Sequence, residues 1–179
     1  MPSDRYDRGI GASPIRATRS GFDLIPRSCT RNDPFSGSHP AQPDAVRVLR
    51  GLGDVERARS AHAAASGYYQ RAVELAEQVG VDGDPLADVL SELGISLLDE
   101  RRFDDAHAVL RRAVDLRERS NGDTPILALN RFLLARAQWG AGQDRGAAVA
   151  LARRALATFR AAGAAENVAE VEAWLARHR

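Results

Sequence analysis

Leu86, Val89, Leu90, Leu93 and Leu97 recur at spacings of three and four, the period of one face of an α-helix. The charged run "DERR" interrupts them. A second stripe of the same period then follows in Phe103, Ala106, Leu110, Ala113 and Val114, and a third in Ala148, Leu151, Ala152, Ala155 and Phe159. A last helix is expected from about residue 165, with Val168, Val171, Trp174 and Leu175 on one side and Glu166, Glu170 and Arg177 on the other. The prolines of "DGDPLADVL" and "NGDTPILAL" follow Asp84 and Thr124, two side chains able to cap a helix. Proline is well placed at a first helical position, because its missing N–H has no intrahelical partner there. Helices are therefore predicted to begin near residues 85 and 125.

These stripes keep a common step. Leu52-Gly53, Leu93-Gly94 and Leu134-Ala135 are 41 residues apart, as are Ala65, Ala106 and Ala147, and Tyr69, Leu110 and Leu151. "RAVEL" at 71–75 returns as "RAVDL" at 112–116, and Ala72 leads to Ala113 and then, with one residue added, to Ala155. Phase shared by so many apolar positions marks an internal repeat of helical units. The expected fold is an all-α solenoid over 44–179: three antiparallel helical hairpins and a C-terminal end helix whose polar side meets water. Gly53, Gly94 and Ala135 fall where paired helices need close approach. Leucine at Gly94 should overpack that contact, whereas alanine there should be mild or stabilising. The opening helix, "DAVRVLRGLGDVERARS" (44–60), contains Gly51 and Gly53, and no preceding helix is expected to cover its outer face. This end should fray first, and it should supply any weak self-association surface or mark where a longer ancestral array was cut.

The first 43 residues have a different texture. Six of the eight prolines stand at or before Pro43, among scattered glycine, serine and arginine. The segment cannot bury enough apolar surface to offset its chain entropy, so a disordered tail is expected over 1–43, with "SGFDLIPRSC" (20–29) as its one apolar patch.

Composition narrows the function further. A formal net charge of +1 gives no electrostatic reason to expect nucleic acid or an anionic membrane as partner. All 25 basic residues are arginine, which removes Schiff-base chemistry and the lysine of phosphate-binding loops. The single cysteine, Cys29, forms no internal disulfide, and a reducing cytoplasm is expected. Neither a signal sequence nor a membrane-spanning stretch is read. His39, His62, His107 and His178 are dispersed, so no metal or other cofactor is expected. Asp99-Glu100 and Asp104-Asp105 flank a turn and read as solvated. The glycines of "GIGASP" (9–14) follow no strand, which leaves a phosphate loop unsupported.

The segment "LSELGISLLDERRFDDAHAVLRRAVDL" (90–116) resembles the tetratricopeptide repeat (TPR), through Leu93-Gly94, Leu97, Phe103, Ala106, Leu110 and Ala113. The third copy departs from the pattern, with Ala135 for the glycine and Asp144 for the aromatic, and the first has His62 where the second has Phe103. The usual repeat is 34 residues long. A step of 41 resembles the longer, kinesin-light-chain-like variety. "LLARAQWGAGQDRGAAVALARRALATFRAAG" followed by "AEVEAWLARH" is similar to the TPR tails of bacterial serine/threonine protein kinases. The nucleotide lysine, the His-Arg-Asp loop and the Asp-Phe-Gly motif of a kinase are all missing from the chain.

The resemblance implies a concave groove lined by the first helix of each hairpin. By phase it would present Arg47, Arg50, Asp54 and Arg57, then Asp88, Ser91, Ile95 and Leu98, then Leu129, Phe132, Arg136 and Trp139. Apolar residues bounded by arginines suit a protein partner offering an extended peptide or a helix with acidic flanks. Phe132 and Trp139 fit equally well beneath neighbouring helices. The asparagine-and-lysine pattern of TPR domains that clamp a C-terminal carboxylate is missing. The function expected is a non-catalytic scaffold or adaptor. A detached sensor portion of a signalling kinase or transcription regulator is the alternative within the binding class, and an enzyme with an unrecognised groove site is the alternative outside it.

Overall fold

The computed structural model describes residues 43–178, apart from 121. Seven helices follow one another: α1 Pro43–Ala58, α2 His62–Gln78, α3 Asp84–Asp99, α4 Phe103–Ser120, α5 Pro125–Gly140, α6 Arg145–Ala161 and α7 Ala165–Arg177. α1/α2, α3/α4 and α5/α6 form three hairpins. Each hairpin packs on the next, and α7 packs on α6. The all-α solenoid expected from the repeat is therefore the observed architecture. The tail expected over 1–43 lies outside the described residues except for Pro43, which opens α1. Cys29, His39, the patch at 20–29 and the glycines at 9–14 also lie outside them.

The helix starts are close to prediction, but one cap differs. Thr124 caps α5, accepting a hydrogen bond from the Leu127 amide at 3.2 Å. Asp84 does not cap α3. Gly83, at φ 67°, holds the cap position, and Asp84 sits inside the first turn facing Arg117. A carboxylate in the first turn still interacts favourably with the helix dipole.

The turn inside each hairpin is built alike. Ser60, Arg101 and Gly142 stand one repeat step apart, and all three adopt φ near +60° to +70°. In each turn the residue after the left-handed one donates back across the helix end: Ala61 to Glu56, Arg102 to Leu97 and Gln143 to Gln138. This is a Schellman closure, which satisfies carbonyls the helix leaves open. The third turn then differs by one residue. Asp144 caps α6 by accepting from the Ala147 amide at 3.0 Å, a role without counterpart in the first two turns. The added residue shifts α6 by one. Ala148 and Ala152, both fully buried, take the core places that Ala106 and Leu110 hold in the second unit. Ala147 and Leu151, which a constant step of 41 would select, are only partly buried. Arg145, not Asp144, therefore occupies the position of Phe103.

Close approach between paired helices centres on the small residues. A Cβ at Gly94 would lie 2.5 Å from Leu110 Cδ2, and one at Gly53 would lie 2.6 Å from Tyr69 Cε1. Leu110 and Tyr69 are both completely buried and have little room to move. The sequence-based expectation that alanine at Gly94 is mild is thus corrected: helical propensity favours alanine, but Leu110 occupies the space.

Apolar burial runs the length of the array. Leu90, Leu93, Leu97, Val109 and Leu110 anchor its middle, each burial contributing roughly 1.5–3 kcal/mol. A second cluster joins Phe132, Phe159, Val171 and Trp174 across α5, α6 and α7. Two buried arginines fasten the hairpins at their loop ends. Arg117 of α4 binds Asp88 and approaches Asp84 at 3.8 Å. Arg131 of α5, 1% exposed, donates to Glu118 at 2.7 Å and to Asp123 at 2.6 Å. The Arg131 guanidinium holds the Asp123 carboxyl below its ordinary range, with Arg154 adding to the effect.

Candidate functional site

α1, α3 and α5 carry the residues assigned to the groove, and the structure divides them into two groups. Toward the N-terminus most are already engaged by partners elsewhere in the fold. Arg50 of α1 forks onto Glu92 of α3, with Nε 2.9 and 2.8 Å from the two carboxylate oxygens and Nη2 2.6 Å from Oε1. Burial raises the Glu92 carboxyl above its ordinary range, and Arg50 opposes that rise. Tyr69 donates its hydroxyl proton to Asp54 at 2.6 Å and accepts from Arg57 at 3.4 Å. Desolvation, reinforced by the bond to Asp54, pushes the Tyr69 phenol up to about 12, so it remains protonated and donating. Arg47 is exposed and pairs with Asp44, at 3.5 Å. Asp88 is taken by Arg117. Ser91 donates to the Ala87 carbonyl at 2.6 Å and lies 3.1 Å from the Asn130 side-chain oxygen. Ile95 and Leu129 pack partly buried against the core.

The C-terminal group behaves differently. Leu98, Phe132, Arg136 and Trp139 come together along a cleft of about 490 Å³. Phe103 and Gly140 complete the near wall, and Glu170, Trp174, Arg177 and His178 form the far wall. The floor is apolar and mostly closed: Leu98 is 8% exposed and Phe132 1%. Phe132 thus belongs to the core and offers the cleft almost no exposed surface. Trp139 is half-buried, standing edge-on to Trp174 with ring centres 5.7 Å apart. Trp174 also meets Phe132 edge-on at 6.0 Å and stacks on His178 at 4.3 Å. Offset and edge-to-face packing of this kind favours rigid placement of the rings.

Cations surround these rings. The Arg136 guanidinium lies 5.9 Å from the Phe132 ring centre and 3.8 Å from Glu170, and Arg145 lies 4.9 Å from the Trp139 centre. His178 is engaged through Nδ1, 2.7 Å from the Trp174 carbonyl, which calls for a proton on that nitrogen. Serine, threonine, cysteine, tyrosine and aspartate are all missing from the lining. Among the described residues no group of three or more His, Cys, Asp or Glu converges as a metal set. Also among them, no helix is long and apolar enough to cross a membrane.

Sequence reasoning missed the far wall. It read α7 only as the element that closes the array, because Trp174 falls on the apolar side of a terminal helix and nothing local distinguishes a lid from a wall. The one sequence signal is that the chain's two tryptophans both fall late, Trp139 near the end of α5 and Trp174 in α7.

Comparison with known proteins supports this architecture. Residues 86–125 match the family model described as Tetratricopeptide repeat. That span opens within the first turn of α3 and closes at the start of α5, one residue short of a full repeat step. Among solved structures, the N-terminal domain of stress-induced protein-1 (STI-1) from C. elegans is similar, with 22% sequence identity and a TM-score of 0.53. The similarity covers 72% of this chain and 95% of that one. At that identity it is the fold that is shared. No curated protein matches the chain at a significant level. The chain folds as a TPR-type helical solenoid carrying a family-matching repeat at its centre.

Proposed function

We propose that this chain is a non-catalytic protein-interaction scaffold and that the C-terminal cleft receives a peptide or helix bearing an apolar anchor beside acidic residues. The observation that carries the proposal is the composition of the cleft: a rigid aromatic floor with arginines at its edge. A bulky side chain that enters desolvates chiefly against Trp139, over a floor closed by Phe132 and Trp174, and carboxylates beside it meet Arg136 and Arg177. Arg136 makes only a loose contact with Glu170, at 3.8 Å, and the two side chains are 36% and 56% exposed, so an incoming carboxylate competes easily with that partner. The N-terminal part of the groove suits a supporting role, since Arg50, Asp54, Arg57 and Asp88 already satisfy partners within the fold.

A scaffold reading also fits the lining, which offers no nucleophile beside a base. The likeness of the C-terminal units to kinase TPR tails favours a scaffold that works within signalling, as a detached regulatory portion. On the same reading it works in the cytoplasm, without a cofactor and without nucleic acid or membrane as partner.

Both tryptophans of the chain, Trp139 and Trp174, line the cleft, so intrinsic fluorescence reports on it directly. The test is selection of peptides on the purified chain from a displayed random library, followed by titration of the selected peptides. The expected result is enrichment of aromatic or leucine residues flanked by Asp and Glu, a shift in tryptophan emission on binding, and at least tenfold weaker binding by Arg136→Glu, about 1.4 kcal/mol. Peptides that bind without moving the emission and are indifferent to Arg136→Glu would overturn the assignment.

A further inference from the structure

We infer that α1 is a self-association face, on which two copies of this chain pair through antiparallel α1 helices. The inference is independent of the cleft, which lies at the other end of the array. It begins with the repeat phase. Val48, Leu52 and Val55 are 47%, 38% and 47% exposed. One step later, the same positions in α3 are Val89, Leu93 and Ser96, at 2%, 2% and 0%. Two steps later, in α5, they are Asn130, Leu134 and Ala137, at 1%, 6% and 0%. Wherever a hairpin precedes, this face is covered. Among the described residues α1 has no preceding hairpin, and it presents three branched apolar side chains where a covering helix would sit.

The charges at the ends of the stripe identify the occupant. Asp44, Val48, Leu52 and Val55 descend a single face of α1 at spacings of four, four and three, and Arg59, in the turn just past the end of α1, continues that line four residues on. The stripe thus carries a carboxylate at one end and a guanidinium at the other, with side chains 81% and 70% exposed. Such a face is self-complementary only when two copies run antiparallel: Asp44 of each then faces Arg59 of the other, and Leu52 of both lies near the two-fold axis. A parallel pair would set like charges together at both ends. Their present partners, Arg47 at 3.5 Å and Glu56 at 3.1 Å, are neighbours on the same helix and bind weakly. Gly51 flanks the stripe, and a Cβ there would meet nothing within 4 Å, so no side chain holds a second helix away. A single helix face falls below the roughly 1,000 Å² of a firm interface, and the expected dissociation constant lies between about 1 μM and 1 mM.

The experiment is sedimentation velocity on the full chain at low salt over a range of concentration, with thermal melting to confirm that each variant folds. Leu52 is exposed in the single chain, so Leu52→Glu should melt as the parent does while associating at least about tenfold more weakly. Asp44→Arg alone, or Arg59→Asp alone, places like charges at both ends of the pair and should weaken it by about threefold to tenfold. Mixing those two variants restores opposite charges at both ends, so the mixture should form a heterodimer tighter than either homodimer. A parent chain that stays monomeric to about 1 mM would overturn the inference, as would a dimer indifferent to Leu52→Glu. A mixture no tighter than its components would overturn the antiparallel pairing. Slow exchange over 43–58 that is independent of concentration would also overturn it, and would assign the cover to residues 1–42 instead.

Discussion

The two ends of the array solve one problem in opposite ways. At the C-terminus α7 lays Val171 and Trp174 over the third hairpin and leaves Glu166 exposed, with Glu170 at the cleft and Glu172 bonded to Arg160. At the N-terminus α1 buries Val46 and Leu49 but leaves Val48, Leu52 and Val55 in water. In a stack of near-identical units the interior is fixed by the step, and each unit is stabilised by its neighbours. Individual character therefore collects at the ends. One end is closed, aromatic and rigid, and next to it lies a cleft. Among the described residues, the other leaves one apolar face of α1 uncovered, the face on which we infer that two copies pair.

The closed end should be the harder to damage without consequence. Trp174→Ala removes the ring that touches Phe132, Trp139 and His178 and leaves a cavity beneath α7. It should cost about 3–5 kcal/mol in denaturant unfolding. Hydrogen exchange should accelerate over 165–177 and over the end of α5 while remaining unchanged over 43–58. Equal acceleration at both ends would show that the array melts as one unit and that the ends are not independent.

The shared interior supplies the next largest effect. Gly94→Leu forces a branched side chain against the fully buried Leu110 and should cost about 1–3 kcal/mol. Gly94→Ala should also destabilise, by less, because its single methyl already meets Leu110. Urea midpoints of the two variants decide the matter, and an alanine variant above the parent would show that Leu110 yields at no cost. The same pairing recurs as Gly53 with Tyr69, so Gly53→Ala should also fall below the parent.

How much of this was legible in sequence depended on whether the information was periodic. The step of 41 carried the hairpins and the close-contact glycines, and apolar period alone carried the closing helix, because both are properties of sequence alone. The one-residue addition was also visible, but not its place: only the Schellman turn at Gly142 followed by the Asp144 cap shows that it precedes α6 and moves Ala148 and Ala152 inward. Asp84 read as a cap because aspartate beside proline is the usual signature, and the structure instead lets Gly83 take the left-handed position. The groove was half legible. Phase put Arg50, Asp54 and Asp88 on the inner side, but their partners Glu92, Tyr69 and Arg117 come from other phases or other helices. The far wall of the cleft came from α7, an element outside the repeat to which the step does not apply.

A smaller effect separates the ends more finely. Gly51 and Gly53 share α1 but face different surroundings. Gly51 is exposed with open space at its Cβ position, so Gly51→Ala gains helical propensity without a clash and should stabilise the chain by up to about 1 kcal/mol. In dilute solution exchange should slow over 43–58 alone. If Gly51→Ala and Gly53→Ala shifted stability in the same direction, packing against Tyr69 would not be what distinguishes them.

The smallest effect belongs to the middle of the array and sets a baseline for both ends. His107 is half-buried on α4, and burial lowers its imidazole below the usual 6.5, with Arg111 one turn on adding to the fall and Asp104 opposing it. Between the folded value and 6.5 the unfolded chain binds more protons than the folded one, so stability rises with pH across that window. This contribution is complete above 6.5 and is lost as pH falls through the folded value. His107→Gln removes the titration, and the difference between its urea midpoint and the parent's should grow in favour of the variant from pH 7.5 to pH 5.5. The ends should not take part in this change, since neither α1 nor α7 carries His107 or its charged neighbours. A difference that stayed constant across that range would show that His107 titrates alike in the folded and unfolded chain, and that its burial costs the imidazolium nothing.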